Sequence, residues 1–184
     1  MVESVQNRRS PAETLWLHLL IHCGFSGPLL AEAALRSNSG SFGNRAVTRA
    51  KSQIQGRLAH QIDKWPIRPT NRVPGKAVCT TSKLIEISIL AASMHYLHGE
   101  RIYNKLMMKD IILAYDLYTN LRLKANSGAP QISPDNAYWL SQELASQQAI
   151  VPYCPKCKVR YYSAIEQRVK NGCPFCRELG IGDY

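Results

Sequence analysis

The sequence predicts a mostly α protein: a helical bundle body with a helix-turn-helix-like N-terminal part, followed by a small C-terminal ribbon in which four cysteines bind a metal. Apolar residues recur at helical spacing in segments that begin with capping residues and end at glycine. Paired cysteines occur near the C-terminus. The chain has 184 residues, which suits one domain with a small addition, and we expect these at 1–150 and 151–184.

The N-terminal part is predicted to form three helices. Residues 10–13, Ser-Pro-Ala-Glu, form a capping box with proline at the first helical position, so a helix of about 12 residues should run to Gly24. A shorter helix follows from Ser26. Glycine, serine and asparagine in 36–43 predict a turn, after which residues 44–59 return to helical spacing. A helix-turn-helix arrangement is the result.

The positive charge of the chain is concentrated in one segment. The formal net charge is +10, and residues 36–83 hold ten basic residues against one acidic residue. Such a concentration is typical of polyanion binding, because each cation placed on a phosphate releases counterions. Three prolines in residues 65–76 predict an extended basic connector that follows phosphates. A solvated basic surface, or binding to an anionic membrane surface, is the alternative interpretation.

Three further helices are predicted to form the body and its core. One runs from Ser82 to Gly99, and a second spans roughly Lys105 to Leu123. A third is capped and started by Ser133 and Pro134. Apolar residues at helical spacing in all three indicate one shared core.

Four cysteines form the sharpest motif. Two Cys-x-x-Cys turns, Cys154 with Cys157 and Cys173 with Cys176, lie 15 residues apart. Two such turns supply four thiolates at the corners of a tetrahedron, which suits one structural Zn²⁺ ion. Two disulfides, a rubredoxin-like iron site and a redox dithiol pair are the alternatives. The loop between the turns, where Val159, Tyr161 and Tyr162 alternate with polar residues, predicts a short hairpin.

Other chemistry-bearing residues are interpreted as structural. Cys23 and Cys79 lack a Cys-x-x-Cys partner, and such cysteines are usually buried small hydrophobes. The histidine pairs at 18 and 22 and at 95 and 98 share helical faces and indicate packing or partner contacts. No Ser/His/Asp order, Gly-rich phosphate loop or carboxylate pair is present, so the sequence predicts no catalytic residue and no enzyme. No run of about 18 uncharged apolar residues occurs, which predicts a cytoplasmic protein without membrane contact.

A helical body that ends in this ribbon, with IILAYDLY at 111–118 and AYWLSQELASQQAIVPYCPKC at 137–157, resembles the FlhC family of bacterial transcriptional activators. RAVTRAKSQIQG at 45–56 occupies the place of that family's helix-turn-helix-like segment. The resemblance implies zinc on the four cysteines and promoter DNA as ligand. It also implies a hetero-oligomer with an FlhD-like helical partner, contact with RNA polymerase, and activation of flagellar or conjugative-transfer genes. The N-terminal half diverges from the family, so we expect a target sequence and regulon that differ from flagellar promoters.

The first functional hypothesis is therefore the DNA-binding subunit of a transcription activator. Arginine pairs with guanine edges, and asparagine or glutamine with adenine, so the predicted recognition helix at 44–57 is expected to read bases. The candidate DNA contacts are Asn44, Arg45, Arg49, Lys51, Gln53, Gln55, Arg57, Arg68, Arg72 and Lys76. The second hypothesis is a zinc-ribbon module for RNA or protein. Its aromatic residues are either stacking faces or ribbon core: Tyr153, Tyr161, Tyr162 and Phe175. A zinc or cysteine enzyme is the third and least favoured.

Overall fold

The computed structural model describes residues 20, 25, 29, 74–124, 129–169, 172–178 and 180. The chain divides into two compact units, Met1–Pro69 and Thr70–Tyr184. In the first unit Leu20, Phe25 and Leu29 are buried. Leu20 and Leu29 are helical and Phe25 between them is not, which agrees with two predicted helices separated near Gly24. The predicted turn at 36–43 and helix at 44–59 lie outside the described residues.

The second unit begins with one helical turn, α1, at Pro74–Ala77. The prediction of an extended connector is therefore wrong for residues 74–76, while residues 65–73 lie outside the described residues. The turn is closed by a hydrogen bond from the Val78 amide to the Pro74 carbonyl, 3.0 Å. A distant side chain also holds it, because the Gly75 amide donates to Glu143 Oε1 at 3.2 Å. This long-range contact, which local sequence does not reveal, explains the difference.

Helix α2 spans Thr81–His98, close to its predicted bounds. The Thr80 side chain accepts a hydrogen bond from the Lys83 amide and caps the N-terminus. Gly99 ends the helix with a positive φ of 56°, a conformation that glycine adopts without steric cost. A 3₁₀ helix follows at Gly99–Tyr103. The buried face of α2 supplies the largest part of the core, with Leu84, Ile87, Leu90, Ala91 and Met94.

Helices α3, Met108–Lys124, and α4, Pro134–Ala145, complete the helical body. Helix α3 packs against both α2 and α4. It begins three residues later than predicted. The predicted cap of α4 is confirmed, since the Ser133 side chain accepts from the Asn136 amide at 3.3 Å and proline follows it.

A charged cluster lies inside this body. Glu86 of α2 is 1% exposed, and its Oε2 accepts from the Tyr118 hydroxyl at 2.5 Å and from Arg122 Nε at 3.1 Å. The Ile132 amide donates in turn to the Tyr118 hydroxyl at 3.0 Å. Buried charge is tolerated only when it is paired and hydrogen-bonded, as it is here. The cluster fixes α2, α3 and the segment before α4 in one arrangement.

A two-stranded antiparallel sheet follows the helices. Strand β1, Ala149–Ile150, pairs with β2, Ser163–Ala164, in the register Ala149 to Ala164 and Ile150 to Ser163. The hairpin thus brackets the first cysteine turn, whereas the prediction of a hairpin wholly between the two turns was wrong. The residues before Cys154 provide the partner strand. The last described helix, α5, is Pro174–Glu178. The predicted domain boundary after residue 150 falls between the two paired strands. Both strands belong to the second unit.

Candidate metal centre

The first cysteine turn is built by backbone hydrogen bonds around its two sulfurs. The Cys154 amide donates to the Val159 carbonyl at 3.0 Å, and the Lys158 amide donates to the Cys154 carbonyl at 2.9 Å. Lys158 has a φ of 61°, in the left-handed region. A chain that reverses so sharply brings Cys154 and Cys157 to the same side of the turn.

The second cysteine turn begins helix α5. Cys173 directly precedes the helix and Cys176 lies within it. Pro174 occupies the first helical position, where its missing N–H costs nothing. The Arg177 amide donates to the Cys173 carbonyl at 3.3 Å. A single helical turn therefore sets the spacing of these two sulfurs.

The four sulfur atoms converge on one point, as the sequence predicts. Cys154 Sγ lies 3.6 Å from Cys176 Sγ, and Cys157 Sγ lies 3.4 Å from Cys173 Sγ. All four Sγ atoms lie within 4.8 Å of one another. Sulfurs placed tetrahedrally at about 2.3 Å from a zinc ion are separated by about 3.8 Å. The cluster therefore fits a tetrahedral metal, and all four described ribbon cysteines are free thiols rather than disulfides.

The centre is largely shielded from water. Cys154, Cys173 and Cys176 are buried and Cys157 is half-buried, with Tyr161 and Phe175 packed against the sulfurs. The Cys157 amide lowers the pKa of the Cys154 thiol to about 6. Burial raises the pKa of the Cys173 thiol to about 12. A bound divalent cation would stabilise all four thiolates together.

Two aromatic residues that were candidate stacking faces are part of this packing instead. Tyr161 and Phe175 contact the sulfur cluster. Tyr162 is fully buried, which excludes it as a stacking face and agrees with the alternative that it is a core residue. Its side chain points into the helical body, where its hydroxyl reaches Glu143 of α4. Tyr153 is the remaining candidate and is 51% exposed.

Tyr162 joins the ribbon segment to the helices. Its hydroxyl donates to Glu143 Oε2 of α4, and its amide donates to Ser88 Oγ of α2 at 3.1 Å. Burial, followed by the charge of Glu143, raises the pKa of the Tyr162 phenol. Burial likewise raises the pKa of the Glu143 carboxyl. These buried hydrogen bonds thus join the metal-bearing segment to the helical core.

Gly75 completes this contact at very close range. A Cβ added at Gly75 would lie 2.8 Å from Glu143 Oε1 and 3.2 Å from the Tyr162 hydroxyl. Neither Glu143 nor Gly75 was a candidate functional residue from sequence alone. One signal existed, because Glu143 lies among Leu140 and Leu144 on the apolar face of α4, where an isolated carboxylate needs partners.

Most of the predicted DNA contacts lie outside the described residues: Asn44, Arg45, Arg49, Lys51, Gln53, Gln55, Arg57, Arg68 and Arg72. Lys76 is described, and its exposed ammonium pairs with Glu166 Oε2 at 3.2 Å. A surface pair of this kind contributes about 0–1 kcal/mol, so it holds Lys76 only weakly.

The other singled-out residues divide into two groups. Cys79 is exposed, so the prediction that it is buried was wrong; it follows Val78 at the end of α1, and only Val78 faces the core. His95 Nε2 lies 3.2 Å from Glu100 Oε1, and His98 Nε2 lies 3.2 Å from the Asp110 carbonyl. Both are polar contacts made between residues of the helical body. Cys23 and the histidines at 18 and 22 lie outside the described residues.

Comparison with known proteins adds no assignment. No protein-family model matches the chain, and no curated protein is significantly similar to it. Among the helices in the described ranges, none combines the length and apolar character needed to cross a bilayer. The resemblance to the FlhC family therefore remains an expectation that the sequence motifs carry.

Proposed function

We propose that this protein is the DNA-binding subunit of a bacterial transcriptional activator complex, similar to FlhC, that acts in the cytoplasm with an FlhD-like helical partner. It activates flagellar or conjugative-transfer genes and contacts RNA polymerase. One Zn²⁺ ion bound by Cys154, Cys157, Cys173 and Cys176 stabilises its ribbon. The protein is not an enzyme.

The observation that carries the proposal is an all-sulfur metal site in a strongly basic chain. Four converging Sγ atoms satisfy a tetrahedral ion completely, so the site offers no open position for substrate or water. A closed site stabilises a binding module rather than performing chemistry. The net charge of +10, concentrated at 36–83, favours a polyanion as the ligand of that module.

An exposed row of leucines supports the partner subunit. Leu113 and Leu121 of α3 are 53% and 44% exposed, and half-buried Leu117 lies between them at four-residue spacing. Residues four apart share a helical face, so the three form one apolar strip. A helix of the partner would cover such a strip by apolar contact.

The alternative is a zinc-ribbon module that binds RNA or protein without transcriptional activity. The exposed ring of Tyr153 favours it, because single-stranded RNA is commonly bound by stacking on aromatic rings. The two functions differ in the nucleic acid that they select.

A selection from a random duplex pool tests the proposal. The full chain is purified alone and after co-expression with an FlhD-family subunit of the same organism, and single-stranded RNA is added as competitor. We expect one duplex motif to be enriched, more strongly with the partner present. Absence of enrichment, or preferential binding of the RNA, would overturn the proposal.

A further inference from the structure

The first cysteine turn carries an exposed surface that the proposed DNA contacts at 44–76 do not include. Its members, here called the knuckle surface, are exposed although the sulfurs beneath them are mostly buried: Tyr153, Pro155, Lys156, Lys158 and Val159. Two of the five are cations. Residues two apart in sequence have Cα atoms at most about 7 Å from each other, so both ammonium groups can reach one short stretch of a ligand.

The two lysines are available for binding. Among the described residues, neither Lys156 nor Lys158 has a carboxylate partner. Arg160 differs, because its Nη1 donates to the Val151 carbonyl at 3.0 Å. The knuckle surface therefore presents two cations that have no carboxylate partner among the described residues.

Backbone and ring geometry hold Lys158 in place. Its left-handed backbone and its amide bond to the Cys154 carbonyl fix the start of the side chain. Its Nζ lies 6.0 Å from the centre of the Tyr153 ring, at the outer limit of a cation–π contact. The backbone of Tyr153 is held in turn by an isolated antiparallel β-bridge to Arg160. Such preorganisation reduces the side-chain entropy lost on binding.

We propose that the knuckle surface contacts the phosphate backbone of duplex DNA, with Lys156 and Lys158 each neutralising one phosphate. This inference rests on the proposed DNA-binding function. It adds a contact made by the metal-bearing ribbon to those expected from the N-terminal half. Phosphate contacts position a protein on DNA without reading its sequence, and a point charge such as lysine is suited to that task.

Compensation of the metal centre does not consume these charges. A zinc ion with four thiolates carries a formal charge of −2, while residues 151–184 contain six basic and three acidic residues, so a net charge of +1 remains. The positions of these charges matter more than their net value. Cys154, Cys173 and Cys176 are buried and the two lysines are exposed, so an approaching phosphate meets the ammonium groups first.

Phosphate contact fits better than base stacking. Lys158 covers one face of the Tyr153 ring, which leaves less of that ring for a base. Tyr161 and Phe175 pack against the sulfurs, and Tyr162 is buried. A stacking platform for single-stranded nucleic acid needs several free rings in sequence. The described ribbon residues do not offer them.

Salt dependence of duplex binding tests the inference. Binding of the full chain to a duplex of fixed sequence, and to a scrambled duplex, is measured at several salt concentrations for Lys156→Ala, Lys158→Ala and the double variant. Each neutralised phosphate contributes about 0.9 to the slope of log K against log salt, so each substitution should reduce the slope by about that amount on both duplexes. Lys156→Arg and Lys158→Arg should keep the wild-type slope.

A matched lysine and the metal content serve as controls. Lys105 is exposed between the 3₁₀ helix and α3, and Lys105→Ala should leave the slope unchanged. Equal metal content in all variants shows that the ribbon is intact.

If the wild-type chain binds the duplex but the double variant keeps its slope, the inference is wrong and the proposed function stands. If the lysine substitutions weaken binding to a single-stranded RNA but not to the duplex, the inference is also wrong. Failure of the wild-type chain to bind any duplex overturns both.

Discussion

The Tyr162 hydroxyl donates a hydrogen bond to the Glu143 carboxylate inside the protein, where both side chains are buried. Tyr162 belongs to the segment that follows the first cysteine turn, and Glu143 to helix α4. The other oxygen of Glu143 accepts from the Gly75 amide of α1. One carboxylate therefore holds three separate parts of the unit together.

Tyr162→Phe should destabilise the protein by about 1–3 kcal/mol, because it removes a donor from a carboxylate that water cannot reach. Urea unfolding followed by circular dichroism measures the loss. Tyr153→Phe is the matched control: its ring is half exposed, so water replaces the lost hydroxyl contact and stability should change little. Equal effects of the two substitutions would contradict the structural role of the buried contact.

Glu143→Gln should be tolerated at neutral pH, in contrast to Tyr162→Phe. A glutamine can accept from the Gly75 amide through its oxygen and donate to the Tyr162 oxygen through its nitrogen, without a buried charge. Burial holds the pKa of the Glu143 carboxyl above its ordinary value of 4.5, so the folded chain binds its proton more tightly than the unfolded chain does. The contribution of Glu143 to stability is therefore greatest below the ordinary value and is lost as pH rises through the raised one.

The difference in unfolding free energy between Glu143→Gln and the wild type isolates this effect, since proton release on metal binding is common to both proteins. Measured in urea from mildly acidic to neutral pH, the difference should move in favour of the glutamine variant as pH rises. Parallel stability curves would contradict a raised pKa for Glu143.

Arg122→Met should cost about 3 kcal/mol or more, because it removes the Arg122 guanidinium from its ion pair with the buried carboxylate of Glu86. The double variant Glu86→Gln with Arg122→Met should recover part of that loss, since no charge is then buried. Thermal or urea unfolding of the wild type, the single variants Glu86→Gln and Arg122→Met, and the double variant measures the coupling. A double variant that loses the sum of the two single effects would mean that the charges act independently.

Local signals explain the parts of the fold that sequence predicts well. The side chains of Thr80 and Ser133 cap α2 and α4. Each accepts a hydrogen bond from a backbone amide only three residues further along the chain, and Gly99 ends α2. The two cysteine turns are equally local. Their convergence is a longer-range event, yet the chemistry of four thiolates allows few other outcomes.

Contacts between distant residues explain what sequence analysis missed. Gly75 and Glu143 are 68 positions apart, and their hydrogen bond holds a helical turn where prolines predict an extended connector. The partner of Glu86 in α3, Arg122, is 36 positions away. Cys79 is a second example. A cysteine without a Cys-x-x-Cys partner is usually buried, but here its neighbour Val78 packs into the core and Cys79 is exposed.

Cys157→Ser and Cys176→Ser should each lose the metal and destabilise the ribbon, because the free energy of metal binding contributes to folding. Cys79→Ser is the control: Cys79 is exposed and outside the cluster, so this variant should keep one equivalent of zinc. Elemental analysis together with thiol titration measures both. Iron in the wild-type protein, or a folded wild-type protein without metal, would contradict the zinc assignment.

The basic residues at 44–76 should divide into residues that read bases and residues that contact phosphates. Arg45 and Arg49 lie four positions apart on the predicted recognition helix and can enter one groove together. Replacing either by alanine should cost about 1–3 kcal/mol on the selected duplex and relax base preference there. Arg68→Ala, Arg72→Ala and Lys76→Ala should instead weaken binding to all duplexes alike, and each should lower the salt slope by about one.

Binding to selected and scrambled duplexes at several salt concentrations separates the two groups. Equal losses on both duplexes for Arg45→Ala and Arg49→Ala would remove this helix from the recognition role.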